Sequence, residues 1–241
     1  MSVQPHDQTR GESMPVFNDQ RSAPLSCSEV AALCMKAARG AGMSWGMAEE
    51  AGFAAAWLVS HDVDGPSHLR AHLERVDGRS WSDLCPSITP GIWQNTAGQA
   101  ACPIILGATM CDYANLPEGP TAGAIVKLGK VSAPILLVPF LASIAQDDHL
   151  AITLSWDGGA FCLEQCEANI RTAEKALCAP DLELTLTAKA ATPSHAPVAL
   201  TRKANISAET IIALNTLAMR TTVPASDASR AGAGSALSDN D

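Results

Sequence analysis

Leu150 to Trp156 (LAITLSW) alternates apolar and polar residues, meets Asp157-Gly158, and returns as Ala160 to Gln165; no other feature restricts the fold as much. A period of two places successive side chains on opposite faces of a strand, and Asp-Gly supplies the positive φ of a two-residue hairpin turn. Leu182 to Ala188 (LELTLTA) is a second strict alternation with its leucines on one side, and Val198 to Lys203 can pair with a neighbouring strand. Together these segments predict a mainly antiparallel sheet with one covered face.

The N-terminal third has a helical period instead. Ser26 and Glu29 match a capping box, with Leu25 and Val30 placed as a hydrophobic staple, and Val30, Leu33 and Ala37 then recur at helical spacing beside Met35. Gly40 and Gly42 bracket Ala41, so the first helix is expected to stop near Arg39. Ser44 can cap a second helix from about Trp45 to Ser60, with Glu49 and Glu50 set towards its positive end and Phe53, Trp57 and Leu58 as its apolar face. Asp64-Gly65-Pro66 ends that helix, and Ser67 is placed to cap a third through about Val76. The three helices are expected to pack as one cluster.

Asp77 to Gly98 is rich in Ser, Pro and Gly and reads as a connector or lid pinned by Trp81, Ile88, Ile92 and Trp93. Cys102 to Tyr113 is largely apolar, and periodicity does not decide between a strand and a short helix. Ala124 to Leu128 and Ala133 to Val138 follow, then Pro139 and a short helix to Gln146. Ser207 caps a last helix whose stripe is Ile211, Leu214 and Ala218, widened by Ile212 and Leu217. The expected fold is α+β: an N-terminal helical cluster packed on a mainly antiparallel β-sheet, with a C-terminal helix and an ordered glycine-rich tail. Residues 1–23 are expected to form a disordered extension and 24–241 a single domain, helical over about 25–76 and sheet-forming over about 100–241.

Sixteen basic residues against 25 acidic ones give a net charge of −9 with no Lys/Arg cluster, which argues against nucleic acid and anionic membranes as partners. The polar start lacks an apolar signal core, and Val131 to Ala145 is too short to span a bilayer and holds Pro134 and Pro139, so a cytoplasmic protein is expected. Eight cysteines without a CxxC pair are expected to be reduced, small buried side chains. His68 and His72 stand at i, i+4 in HLRAH, just after His61-Asp62. Leu69 holds the place of a catalytic glutamate and no third ligand is evident. A solvated helix face and no metal are the expectation there.

The segments RGAG-SWG-AEEAG (Arg39 to Gly52), LLVPF (Leu136 to Phe140) and VPAS-ASR-GAGSALSDND at the C-terminus resemble a bacterial family of roughly 200-residue proteins, a domain of unknown function. The resemblance spans Leu25 to Asp241 and implies an ordered tail, but brings no activity with it.

Two functional classes follow. The first is a small-molecule site for an anionic metabolite, in a binding protein or an enzyme. Arg39 and Arg230 are its anion binders. Gly40, Gly42, Ser229, Gly232 and Gly234 offer loop groups, Glu49 and Glu50 acid–base chemistry, and Asp239 and Asp241 further polar anchors. The second is a non-catalytic accessory or assembly protein acting through protein contacts, a homo-oligomer included. The sequence has no nucleophile elbow, P-loop, dinucleotide fingerprint or zinc pattern, so it names no cofactor.

Overall fold

The computed structural model describes residues 22–163, 170, 174–191 and 203–221. Strand β1 (Ala23–Ser26) leads directly into α1 (Cys27–Gly40), followed by α2 (Trp45–Ser60) and α3 (Gly65–Val76). A connector then reaches α4 (Pro103–Asp112), β2 (Ile125–Ser132) and α5 (Val138–Asp147). Strands β3 (Leu150–Trp156), β4 (Gly159–Cys162), β5 (Asp181–Ala190) and β6 (Lys203–Ile206) precede α6 (Ala208–Ala218).

The fold is α+β. Four strands form an antiparallel sheet in the order β2-β5-β3-β4. Trp156 pairs with Gly159 across Asp157-Gly158, the hairpin expected from the alternation. On β5, Leu184, Leu186 and Ala188 are buried, while the intervening Thr185 and Thr187 are only partly covered, so the leucine side is the covered face. β6 does not join this sheet. It pairs with β1, Ala23 opposite Ile206 and Ser26 opposite Lys203, which draws Ala23 out of the expected disordered extension and into the fold.

Two apolar cores stack with α4 and α5 between them. Ile104 and Ala108 of α4 and Phe140 of α5 belong to the core under α1, α2, α3 and α6, whereas Leu106, Met110, Leu141 and Ile144 belong to the core against the sheet. This explains why periodicity did not decide the state of Cys102 to Tyr113: a helix buried on both sides is apolar all round. Pro103 at its first position settles the helical outcome locally.

The Ser26–Glu29 capping box forms as expected. Elsewhere tertiary contacts revise the local reading. α3 is capped by Asp64, whose carboxylate accepts from the Ser67 N–H, instead of by Ser67 itself. On α2 the buried face is the alanine side, Ala48, Ala51, Ala54 and Ala55 with Leu58, leaving Phe53 38% exposed. Small side chains let α1 approach closely there. On α6 the buried residues are Thr210, Leu214 and Leu217, while Ile212 is exposed. The connector is pinned by part of the expected set: Trp93 is fully buried, Ile88 packs partly buried against the sheet core, and Trp81 donates through Nε1 to the Ala41 carbonyl at 3.2 Å, whereas the Ile92 side chain is exposed.

Of the cysteines among the described residues, Cys34 and Cys102 are buried, Cys27 and Cys162 are half-buried, and Cys85, Cys111 and Cys178 are exposed; no disulfide joins any of these. The expectation of buried cysteines holds only for the first two. No helix among the described residues is long and apolar enough to cross a membrane.

Candidate functional site

The glycine turn expected to bind an anion is occupied by packing. Gly40 is the last residue of α1, and a Cβ there would lie 1.7 Å from the Leu217 carbonyl oxygen, so glycine is what allows α1 and α6 to touch. Gly42 has φ +94°, the left-handed conformation that turns the chain towards α2. Arg39 donates through Nη1 to the Met43 carbonyl, and its guanidinium sits 4.9 Å from the centre of the Trp45 ring. Its head group therefore closes the turn.

Glu49 and Glu50 lie beyond the first turn of α2, not at its positive end as expected. Glu49 is exposed; burial, then the nearby charges of Asp112 and Glu49, raise the Glu50 carboxyl above its ordinary range. Ser229, Arg230, Gly232, Gly234, Asp239 and Asp241 lie outside the described residues.

The structure gathers polar groups instead at the C-terminal half of α3. The sequence placed His68 and His72 on one solvated face, but His72 is fully buried, sharing the inner side of the helix with Leu69, Leu73 and Val76. Its Nε2 is 3.3 Å from the Cys102 sulfur and its Nδ1 is 3.1 Å from Ser132 Oγ. Cys102 reaches this position because Ala101 forms a parallel bridge with Val131, setting the start of α4 beside the end of β2. Arg75, one turn further along α3, donates through Nη1 to Ser132 Oγ at 3.2 Å and to the Pro180 carbonyl.

Burial, and behind it the charge of Arg75, hold the His72 imidazole down to about 3, so it is neutral at physiological pH. Burial also pushes the Cys102 thiol up to about 12. A neutral imidazole can donate through one nitrogen and accept through the other, so it satisfies thiol and hydroxyl together. The protonated, enclosed thiol is a poor nucleophile. This triplet fixes Ser132 and, through it, Arg75.

Ser132 and Arg75 face a surface cavity of about 400 Å³, together with Arg79, Gln99 and Asp181; Val76 and Leu84 give it an apolar wall. Arg79 donates through Nη1 to Gln99 Oε1 at 2.9 Å. Ser132 is followed by Ala133 in the left-handed region at φ 41°, whose N–H donates to the same Pro180 carbonyl that holds Arg75. A non-glycine residue in that conformation is sustained only by surroundings that over-determine it. The corner between β2 and β5 is thus fixed from three sides.

His68 points elsewhere, towards Glu174 and Cys178 at the helical turn that precedes β5. Its Nε2 is 3.4 Å from the Cys178 sulfur and 4.0 Å from Glu174 Oε1. Both partners of His68 come from more than a hundred residues away in sequence, and His72 takes no part.

The fold and cavity define an α+β chain with a small polar pocket at a strand corner. Residues 25–102 match the family model described as Protein of unknown function (DUF3726). The matched segment contains α1 to α3 and the connector, and with them His68, His72, Arg75, Arg79 and Gln99; the expected likeness to the tail lies outside it. Neither the curated proteins nor the solved structures give a match.

Proposed function

We propose that this chain binds a small anionic metabolite, a carboxylate or phosphate compound, in the cavity between the end of α3 and the β2–β5 corner. The observation that carries this reading is the placement of Arg75 and Arg79 at one cavity beside the Ser132 hydroxyl, in a protein whose net charge is −9. Among the described residues, the hydrogen bonds of both guanidinium groups run through Nη1, which leaves their other N–H donors to grip an anion. Asp181 on the rim suits a hydroxyl or ammonium group on the same ligand, giving it one orientation.

The volume accommodates a metabolite of modest size. With the thiol protonated and enclosed, the reading is one of recognition, with Ser132 as a ligand contact.

The test is calorimetric titration of the full chain with a panel of mono- and dicarboxylates and phosphate esters, repeated on Arg79→Gln. Arg79 is exposed and its replacement leaves the Pro180 and Ser132 contacts in place. Loss of one charge-assisted contact is expected to weaken binding by about 1.5–3 kcal/mol, or about 10- to 150-fold. Anion affinity identical in wild type and Arg79→Gln, or no binding across the panel, defeats this assignment.

A further inference from the structure

We propose that His68 Nε2, Glu174 and Cys178 Sγ form a three-ligand zinc site whose fourth position is open to water. Two segments far apart in sequence build it. His68 comes from α3, while Glu174 and Cys178 stand at i, i+4 on the helical turn leading to β5, a spacing that places both on one side. One ligand atom from each residue lies within 4.8 Å of both others.

Zinc bonds of about 2.0–2.3 Å arranged tetrahedrally require ligand atoms about 3.3–3.6 Å apart. The imidazole nitrogen and the sulfur are already 3.4 Å apart, and the nitrogen and carboxylate oxygen, at 4.0 Å, need to close by about 0.5 Å, within reach of small side-chain torsions. The side chains of His68 and Glu174 are 22% and 34% exposed, so the site opens to solvent on one side, where a water can complete the shell.

The donor set selects the metal. One imidazole, one carboxylate and one thiolate form a mixed, borderline-soft set that suits Zn²⁺, whereas Mg²⁺ and Ca²⁺ take oxygen ligands. On binding, the Cys178 S–H bond breaks as the sulfur–zinc bond forms, and the proton leaves to solvent; neutral His68 donates its Nε2 lone pair. Asp64, which caps α3 one turn before His68, adds a further negative charge close by. The consequence for the fold is a clasp between α3 and the segment that runs on to Pro180 and Asp181.

The full chain, stripped with chelator, is titrated with Co²⁺ as a spectroscopic stand-in and then with Zn²⁺. One equivalent of Co²⁺ is expected to give a thiolate-to-metal absorption that Zn²⁺ abolishes. Cys178→Ser should remove the band. His68→Gln and Glu174→Gln should each weaken binding by more than the roughly 10- to 100-fold typical of an outer-shell partner. Cys111→Ser, an exposed thiol elsewhere, should change nothing. Absence of stoichiometric binding, or a band that survives Cys178→Ser, overturns the site. Should Cys178→Ser fail to fold by circular dichroism, unchanged affinity in both His68→Gln and Glu174→Gln overturns it equally.

Discussion

His72 makes the protein sensitive to acid in a way that can be isolated. Its ordinary value is 6.5 and the folded chain holds it at about 3, first through burial and second through the charge of Arg75. A depressed histidine adds stability that is complete above 6.5 and is lost as pH falls through that value towards 3, because below 6.5 only the unfolded chain takes up the proton. Each pH unit in that window costs about 1.4 kcal/mol, so between pH 7 and pH 5 this one group removes about 2 kcal/mol. That is a sizeable part of the total stability of about 5–15 kcal/mol expected for a domain.

The perturbation is His72→Asn, which keeps a donor near Ser132 and cannot titrate. At pH 7 it loses packing and the Cys102 contact, at a cost of about 1–3 kcal/mol. Urea unfolding at a series of pH values, with His68→Gln as a control for the half-buried neighbour, gives the difference between wild type and variant. That difference should shrink by about 2 kcal/mol from pH 7 to pH 5. Parallel stability curves would refute the reasoning, since they would mean that His72 takes up its proton equally in both states.

Gly40→Ala should destabilise the fold by about 1–3 kcal/mol despite the better helix propensity of alanine, because the new Cβ meets the Leu217 carbonyl oxygen at 1.7 Å; chemical denaturation reads this directly, and a neutral result would mean that α6 does not pack where described. Glu50→Gln should stabilise the chain slightly at pH 7. The raised Glu50 carboxyl is an advantage complete below its ordinary value of 4.5 and lost as pH rises through its folded value, so the variant's gain should vanish in acid. Cutting the chain after Thr222 should leave anion binding at the Arg75–Arg79 cavity intact, whereas a site built on Arg230 and the tail loses it; calorimetry on the truncated chain separates the two.

Local patterns carried the elements well where a strand or helix has one covered face. The β3–β4 hairpin, the β5 alternation and the Ser26 capping box form at the residues that announced them. They failed where coverage comes from two sides or from a distant segment. α4 lies between two cores and so shows no stripe, and α2 buries its alanines because α1 packs against that side, leaving the larger Phe53 partly outside. The strand pair β1–β6 joins residues about 180 positions apart, and neither partner is long enough to show an alternation.

The candidate sites show the same division. The sequence by itself determined that His68, His72 and Arg75 ride on one helix, because capping, spacing and side-chain period are local quantities. It could not determine that His72 turns inwards to Cys102 and Ser132, that Arg75 is held by Pro180, or that His68 meets Glu174 and Cys178. Those partners stand 30, 60, 105 and 110 positions away for Cys102, Ser132, Pro180 and Cys178 respectively. Only the tertiary structure decides them, because the burial and hydrogen bonding of a polar side chain depend on which segment closes over it, and no periodicity within a helix encodes that segment's identity.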